Sequence, residues 1–217
     1  MDEQSLEDLQ SSYDRVAPEY VRRIYDELQH KPLDRELLDR FADSVRERGV
    51  ACDMGCGPGH VARYLHERGV QVVGVDLSPV MLEQARQLNP GITFIQGNML
   101  ALDVPDRSWA GIAAFYSIIH LPRDEVVNAL REWKRVLQPR GPVLLAFHIG
   151  SEIRHMEEWW GQPVNVDFLF FSTDEMKTYL HEADFDVEWV VERAPYEGFE
   201  VATQRAYLFA RSPGEIT

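Results

Sequence analysis

The chain has 217 residues, of which 45% are hydrophobic and 27% charged, a composition that suits one globular domain. Lysine and arginine number 22 against 36 aspartates and glutamates, and the net charge of -14 disfavours a nucleic-acid partner because it repels phosphate backbones. No apolar run reaches the roughly 18 to 20 residues of a membrane span, and the acidic start is unlike a signal peptide. The 2 cysteines offer neither a disulfide framework nor a metal site, so we expect a cytoplasmic protein without a metal.

The periodicity of apolar residues predicts two N-terminal helices, over 4–28 and 33–48, followed by alternating strands and helices. Strands are predicted over 50–54, 71–75, 92–96, 110–115, 142–148, 185–192 and 202–210, and helices over 59–68, 79–88, 123–136 and 173–182. Such alternation implies right-handed crossovers and a mostly parallel sheet with ligands beyond its strand ends. The last two strands, joined by Pro195-Tyr196-Glu197-Gly198, favour an antiparallel hairpin.

The most informative segment is Ala51-Cys52-Asp53-Met54-Gly55-Cys56-Gly57-Pro58-Gly59. A strand ends in a tight turn with glycines at alternate positions, where the absence of Cβ atoms lets the backbone lie against a ligand. The amides that open the next helix add the positive end of its dipole. The competing interpretation is a dinucleotide site, but His60 stands where that pattern has its third glycine, and Asp53 would repel a pyrophosphate.

The next two predicted strands also end in polar residues. Asp76 lies at the tip of the second strand, where a carboxylate can accept hydrogen bonds from both ribose hydroxyls or can simply cap the strand end. Ser78-Pro79 is typical of a helix start. The third strand runs into Gly97-Asn98-Met99.

These segments resemble motif I and the following strands of the class I methyltransferases that use S-adenosylmethionine (SAM). The resemblance covers roughly residues 10–212. It implies an α/β, Rossmann-like, seven-stranded, mostly parallel sheet, with the last strand antiparallel and helices on both faces. It also implies one domain over 1–217, with an N-terminal helical lid over 1–48 and an acceptor-side cover inserted after strand five, over 149–171.

The resemblance further implies where SAM binds. Asp53 would hold the methionine ammonium directly or through water, Asp76 the ribose, and Asn98 the adenine edge, where the family usually has an acid. Aromatic residues of the lid would cover the cofactor, although a helix that packs its aromatic face on the core is the alternative. The expected cofactor-binding residues are Tyr13, Tyr20, Asp53, Gly55, Cys56, Gly57, Gly59, Asp76, Leu77, Met81, Asn98, Met99, Phe115 and Ser117.

Methyl transfer needs a base only if the acceptor arrives protonated. His120, after strand four, is the better candidate base, and His148, at the end of strand five, is the better candidate for positioning the acceptor; either could instead be a hydrogen-bonded wall. The cover supplies the expected acceptor-binding residues His155, Trp159, Trp160 and Phe170, whose alternative role is the core of a helical cover.

The leading hypothesis is therefore a SAM-dependent methyltransferase that acts on a small molecule at oxygen, nitrogen, sulfur or carbon. The alternative is a regulatory or degenerate module that binds SAM without turnover. The sequence leaves open which acceptor is used and whether the protein is a monomer or a homodimer.

Overall fold

The computed structural model describes residues 1–214, so that residues 215–217 of the predicted domain lie outside the described residues. The α-helices are α1 (Glu3–Ile24), α2 (Pro32–Val45), α3 (His60–Glu67), α4 (Pro79–Leu88), α5 (Arg123–Val136) and α6 (Thr173–Glu182). The strands are β1 (Val50–Met54), β2 (Gln71–Asp76), β3 (Thr93–Gln96), β4 (Gly111–Phe115), β5 (Pro142–His148), β6 (Ile153–Trp159), β7 (Gln162–Leu169), β8 (Asp186–Arg193) and β9 (Arg205–Arg211). Short 3-10 helices run over Glu27–His30 and Ile118–His120.

Seven strands form one sheet in the order β3-β2-β1-β4-β5-β9-β8. Strands β1 to β5 are parallel, and β9 inserts antiparallel between β5 and β8, which confirms the predicted fold class. The chain order reverses between β1 and β4, and a ligand crevice forms in such sheets at this reversal, beyond the strand ends.

Helices cover both faces of this sheet. On one face Phe147 of β5 packs with Trp133 of α5 in a buried cluster. On the other face Tyr207 of β9 packs with Phe41 of α2 and Leu65 of α3. The central strands are apolar along nearly their whole length because both of their faces are buried.

The segment after β5 contains a β-hairpin, for which the sequence predicted no strands. Strands β6 and β7 pair antiparallel through the two-residue turn Trp160-Gly161, whose φ angles of +53° and +78° match the twist that hairpins favour. Buried Val164 and Val166 alternate with exposed residues along β7, a period-two pattern that fits a strand with one buried face. That face packs against α1. Within residues 1–214, no helix is long and apolar enough to cross a membrane.

Candidate cofactor and acceptor site

A cavity of about 780 Å³ lies at the C-terminal ends of β1 to β4, and α1 covers it. The predicted site residues that line it are Tyr13, Tyr20, Gly55, Gly57, Asp76, Leu77, Asn98, Met99, Phe115, Ser117 and His120. The predicted site residues that do not line it are Asp53, Cys56, Gly59, Met81, His148, His155, Trp159, Trp160 and Phe170.

Sequence reasoning missed part of the lining. The missed residues are Met1, Leu6, Leu9, Gln10, Met54, Val75, Ser78, Gly97, Tyr116 and Leu121. On α1 the available signal was helical spacing, since Leu6, Leu9 or Gln10, and Tyr13 recur on one face of the helix. Tyr116 stands between two predicted residues, Phe115 and Ser117.

The backbone of the glycine turn packs closely at the cavity wall, and its first two amides are already hydrogen-bonded within the protein. Gly55 has a φ of +69°, and a Cβ there would lie 2.3 Å from the Cβ of Ser117. The amides of Gly55 and Cys56 both donate to the carbonyl of Val75, at 2.8 and 2.9 Å. The end of β2 thus satisfies these two amides within the protein.

Asp76 connects the glycine turn to the start of α4. Its two carboxylate oxygens accept hydrogen bonds from the amides of Gly57 at 2.7 Å and Ser78 at 2.9 Å. Burial raises the pKa of Asp76, and these amide donors act in the opposite direction. Each carboxylate oxygen keeps a second lone pair, so the group can still accept from a ligand.

The backbone turns sharply after β4. Tyr116 has a φ of +54°, which is uncommon for an aromatic residue. Ser117 is 6% exposed, and its hydroxyl has no hydrogen-bond partner within residues 1–214. A buried hydroxyl without a partner is costly, and this one lines the cavity, so its natural partner is a ligand.

Asp53 lies behind the glycine turn and is 2% exposed. One of its oxygens accepts the amide of Ala62 at 2.9 Å, in the first turn of α3. Burial raises its pKa to about 7 despite the nearby His60. The structure therefore places Asp53 against a helix start, one layer away from the cavity.

Asn98 follows β3 and caps its own turn. Its side-chain oxygen accepts the amide of Leu100 at 3.0 Å. Within the described residues its amide nitrogen donates no hydrogen bond, so the NH2 group remains able to donate to a ligand.

His120 and Tyr13 form a hydrogen-bonded pair at the cavity wall. The Nδ1 of His120 lies 3.1 Å from the carbonyl oxygen of Asp167, and Nε2 lies 2.7 Å from the Tyr13 hydroxyl. Because a carbonyl can only accept, Nδ1 carries the proton of the neutral ring, and Nε2 accepts from Tyr13. Removal from water lowers the pKa of His120 to about 4.

His148 lies one ring away from the cavity. Its ring packs between Tyr116 and Phe170, with centroids 4.9 and 5.4 Å away, and its Nδ1 lies 2.9 Å from the Thr203 hydroxyl. Burial, and then the charge of Arg205, lower its pKa to about 3. The geometry makes His148 a support for Tyr116, rather than a group within reach of the cavity.

The tryptophans of the hairpin pack on α1. Trp159 meets the rings of Tyr13 and Tyr20 edge-on at 5.7 and 5.8 Å, and Trp160 meets Tyr20 at 6.1 Å. They back the two tyrosines that line the cavity and do not line it themselves. His155, whose Nδ1 is 2.8 Å from the Asp167 carboxylate, is likewise on the outer side.

A family model described as a methyltransferase domain matches residues 51–141, the stretch that holds β1 to β4 and the glycine turn. Residues 51–141 thus form a methyltransferase domain, and the sheet around them has the fold of the SAM-dependent methyltransferases. A solved structure, a SAM-dependent methyltransferase of Methanosarcina mazei, matches 80% of this chain with a TM-score of 0.72 and 15% identity, over 96% of its own chain. At that identity the likeness concerns the fold.

Curated relatives are also methyltransferases. The chain is 26% identical over 156 residues to the malonyl-[acyl-carrier protein] O-methyltransferase of Enterobacter lignolyticus, covering 69% of this chain and 57% of the relative. It is 30% identical over 136 residues to the methyltransferase GK2543 of Geobacillus kaustophilus, covering 62% of this chain and 61% of the relative. The chain thus spans less than two thirds of the length of these relatives.

Proposed function

We propose that this protein binds SAM in the cavity under α1 and transfers its methyl group to a small-molecule acceptor. The observation that supports this most directly is the convergence of an acid, a close-packed glycine turn and an unpartnered buried hydroxyl on one covered cavity. Asp76, Gly55 and Ser117 provide these three features. They lie at the sheet reversal where this fold class binds its ligand.

The residues present fit SAM. Asp76 would accept from the ribose hydroxyls, the Asn98 NH2 would donate to an adenine ring nitrogen, and Ser117 would find its missing partner on the cofactor. SAM supplies an activated methyl group on a sulfonium, and the chemistry needs little else than in-line placement and exclusion of water. Tyr13 and Tyr20 of α1 provide that exclusion because they cover the cavity.

The acceptor is proposed to be a small molecule that arrives with a proton, as a hydroxyl or an ammonium. The support is the position of His120 and Tyr13 on the same cavity, where they are able to take up a proton. The net charge of -14 argues against a nucleic acid, and a cytoplasmic location remains our expectation.

The alternative is a module that binds SAM without turnover. It shares the cavity but does not require a proton acceptor at its wall, and the pairing of His120 with Tyr13 therefore favours the enzyme. Incubation with SAM and pooled small metabolites separates the two functions. The enzyme releases S-adenosylhomocysteine in proportion to acceptor, whereas the binding module releases none.

Calorimetric titration with SAM and with NADH tests the cofactor. We expect SAM to bind and NADH not to bind. Asp76→Ala should weaken SAM binding by about 1 to 3 kcal/mol, the usual cost of a lost hydrogen bond to a charged acceptor. The control is Asp43→Ala, since that carboxylate is 70% exposed and, within residues 1–214, pairs only with Arg46 at the end of α2. Tight NADH binding without SAM binding contradicts the proposal.

A further inference from the structure

We infer that Tyr13, rather than His120, is the residue that takes the proton from the acceptor, and that it passes its own proton to His120. This inference rests on the proposed function. It assigns a catalytic role to a residue that the sequence suggested only as part of the cofactor cover. His120 then acts through Tyr13 and receives the proton on the outer side of the cavity wall.

The hydrogen-bond directions support this order. The Asp167 carbonyl holds the His120 proton on Nδ1, so the lone pair of Nε2 is already occupied by the Tyr13 hydroxyl at 2.7 Å. An acceptor in the cavity therefore cannot reach Nε2 without displacing Tyr13. The oxygen of Tyr13 keeps a lone pair of its own, and Tyr13 lines the cavity.

The position of His120 supplies an exit for the proton. His120 lines the inner cavity and also an outer groove of about 520 Å³ between α1 and β7. Polar residues of that groove include Ser5, Asp8 and Asn165. A proton received at Nε2 can thus leave through a partly exposed ring to the groove without crossing the covered cavity.

The protonation states are compatible with a relay. Burial, together with the charges of Tyr20 and Asp76, raises the pKa of Tyr13, so its hydroxyl stays protonated at neutral pH. The low pKa of His120 keeps its ring neutral and able to accept. The raised pKa of Tyr13 disfavours a free tyrosinate, which favours transfer of both protons in one event.

The bonds balance in that event. The acceptor X–H bond breaks, and its proton binds the Tyr13 oxygen while the Tyr13 O–H bond breaks and its proton binds Nε2 of His120. The electron pair of X–H stays on X and forms the new bond to the methyl group, whose former bonding pair remains on sulfur. Tyr13 ends as it began, and His120 ends as an imidazolium.

Packing holds the pair in place. The Tyr13 ring meets the His120 ring at 5.3 Å, Trp159 at 5.7 Å and Tyr20 at 6.0 Å, all edge-on. Phe168 of β7 meets the other side of His120 at 5.0 Å. A rigid pair of this kind suits proton transfer, because the donor and acceptor atoms are already at hydrogen-bond distance.

The first test requires no acceptor. Protein labelled with nitrogen-15 in its 7 histidines is titrated by NMR, with His120→Gln used to assign the ring. We expect the wild-type ring to be protonated on Nδ1 and to titrate near pH 4. In Tyr13→Phe the pKa of His120 should rise, because the lost hydroxyl donated to the unprotonated nitrogen and so favoured the neutral ring.

Tyr20→Phe is the matched control for this titration. Tyr20 lies on the same helix, lines the same cavity and belongs to the same aromatic cluster, but no hydrogen bond of its hydroxyl occurs within residues 1–214. Its substitution should leave the His120 tautomer and pKa unchanged. An identical His120 titration in wild type and Tyr13→Phe overturns the inference.

The second test measures S-adenosylhomocysteine release from SAM and pooled small hydroxyl and amine compounds. Tyr13→Phe should lower turnover about a hundredfold while the Kd for SAM changes only a few-fold. The double variant with His120→Gln should be no slower than the slower single variant, since the two residues act as a unit. Full turnover in Tyr13→Phe overturns the relay, whereas absence of SAM binding in wild type overturns the proposed function and leaves the NMR result intact.

Discussion

At the scale of single residues, Asp53 shows how a motif residue can influence a ligand that it does not touch. The carboxylate is enclosed behind the glycine turn, and burial raises its pKa to about 7. A cation in the neighbouring cavity favours the ionised form of such a group even across an intervening layer. We therefore expect Asp53 to act on SAM through its charge rather than through contact.

This role predicts a pH dependence of SAM affinity. Below pH 7 the free protein holds a proton on Asp53, and binding of the cation must release it, so affinity should fall as pH falls through 7. One-proton linkage at that pKa gives a roughly fivefold weaker Kd at pH 6 than at pH 7. Calorimetry in two buffers of different protonation enthalpy measures both the Kd and the released proton. Asp53→Asn should abolish the dependence, and an unchanged dependence in that variant contradicts it.

The pH dependence of folding stability carries the opposite sign for the same residue. The folded pKa of Asp53 is raised above the value of 3.8 for an unperturbed aspartate, so the unfolded chain loses its proton first as pH rises. The free energy of unfolding is therefore lowered progressively between about pH 4 and pH 7 by this group. The buried Asp53 carboxylate thus lowers the free energy of unfolding at neutral pH, and it lies next to the cavity.

At the scale of elements, α1 is held by two sets of contacts, one with the start of α4 and one with the hairpin. Asp14 accepts the Ser78 hydroxyl at 2.5 Å and the Val80 amide at 3.3 Å, which joins α1 to the start of α4. On its other side α1 packs against the hairpin through Tyr13, Tyr20 and Trp159. We therefore expect a change in either set of contacts to shift α1 over the cavity.

Trp159→Ala tests whether the hairpin holds α1 in place over the cavity. Loss of the ring removes the edge contacts with Tyr13 and Tyr20, so we expect the Kd for SAM to weaken by about five- to tenfold, equivalent to about 1 to 1.4 kcal/mol. Turnover should fall as well, because Tyr13 loses its support. Trp159→Phe, which keeps an aromatic ring, should retain most of the affinity. A variant that loses acceptor binding and keeps the wild-type Kd for SAM would instead place Trp159 in an acceptor pocket.

Much of the fold was predictable because the central strands have both faces buried. Strand β5, helix α5 and helix α6 lie where apolar runs and periodicity place them, and the glycine turn marks the ligand edge. The hairpin was missed because its aromatic residues were interpreted as the wall of an acceptor pocket or the core of a helical cover, although Val164 and Val166 alternate with exposed residues. The contacts between α1, the hairpin and His120 join segments that are distant in the chain. Local sequence patterns therefore do not predict them.

Side-chain roles at the site were predicted less well than positions, for a related reason. His148 does not line the cavity but packs 4.9 Å from the ring of Tyr116, which lines the cavity and has a positive φ. No local sequence pattern predicts that a tyrosine adopts a positive φ. The shift of the pKa of His120 to about 4 likewise comes from enclosure by α1 and β7, which are distant in sequence.

At the scale of the whole molecule, a buried ionic group joins α2 to the end of the sheet. Asp34 is 1% exposed and accepts hydrogen bonds from Arg193 at 2.9 Å and the Tyr207 hydroxyl at 2.8 Å. Glu200 accepts from Arg193 at 2.6 Å and is 3.4 Å from Lys31. The strand end and the N-terminal helices are thus connected through charges that are largely buried.

Removing one member should destabilise the entire domain. Asp34→Ala leaves the Arg193 charge short of a buried partner, and we expect the free energy of unfolding to fall by about 3 to 5 kcal/mol. Urea denaturation followed by far-UV circular dichroism measures the change. The control Arg40→Ala breaks an ion pair with Glu36 whose members are 60% and 56% exposed, and it should stay within about 0.5 kcal/mol of wild type. Equal losses in the two variants would contradict the structural role of the buried group.

The placement of tryptophans gives the protein an optical signal of its own. Of the 5 tryptophans, Trp109 and Trp133 are buried in the core, whereas the tilted rings of Trp159 and Trp160 have centroids 4.7 Å apart beside the tyrosines that cover the cavity. The guanidinium of Arg23 on α1 also lies 5.1 Å from the ring of Trp160. Displacement of α1 changes the surroundings of this half-buried pair and leaves the core pair untouched, so the position of α1 can be followed by intrinsic fluorescence, without a label.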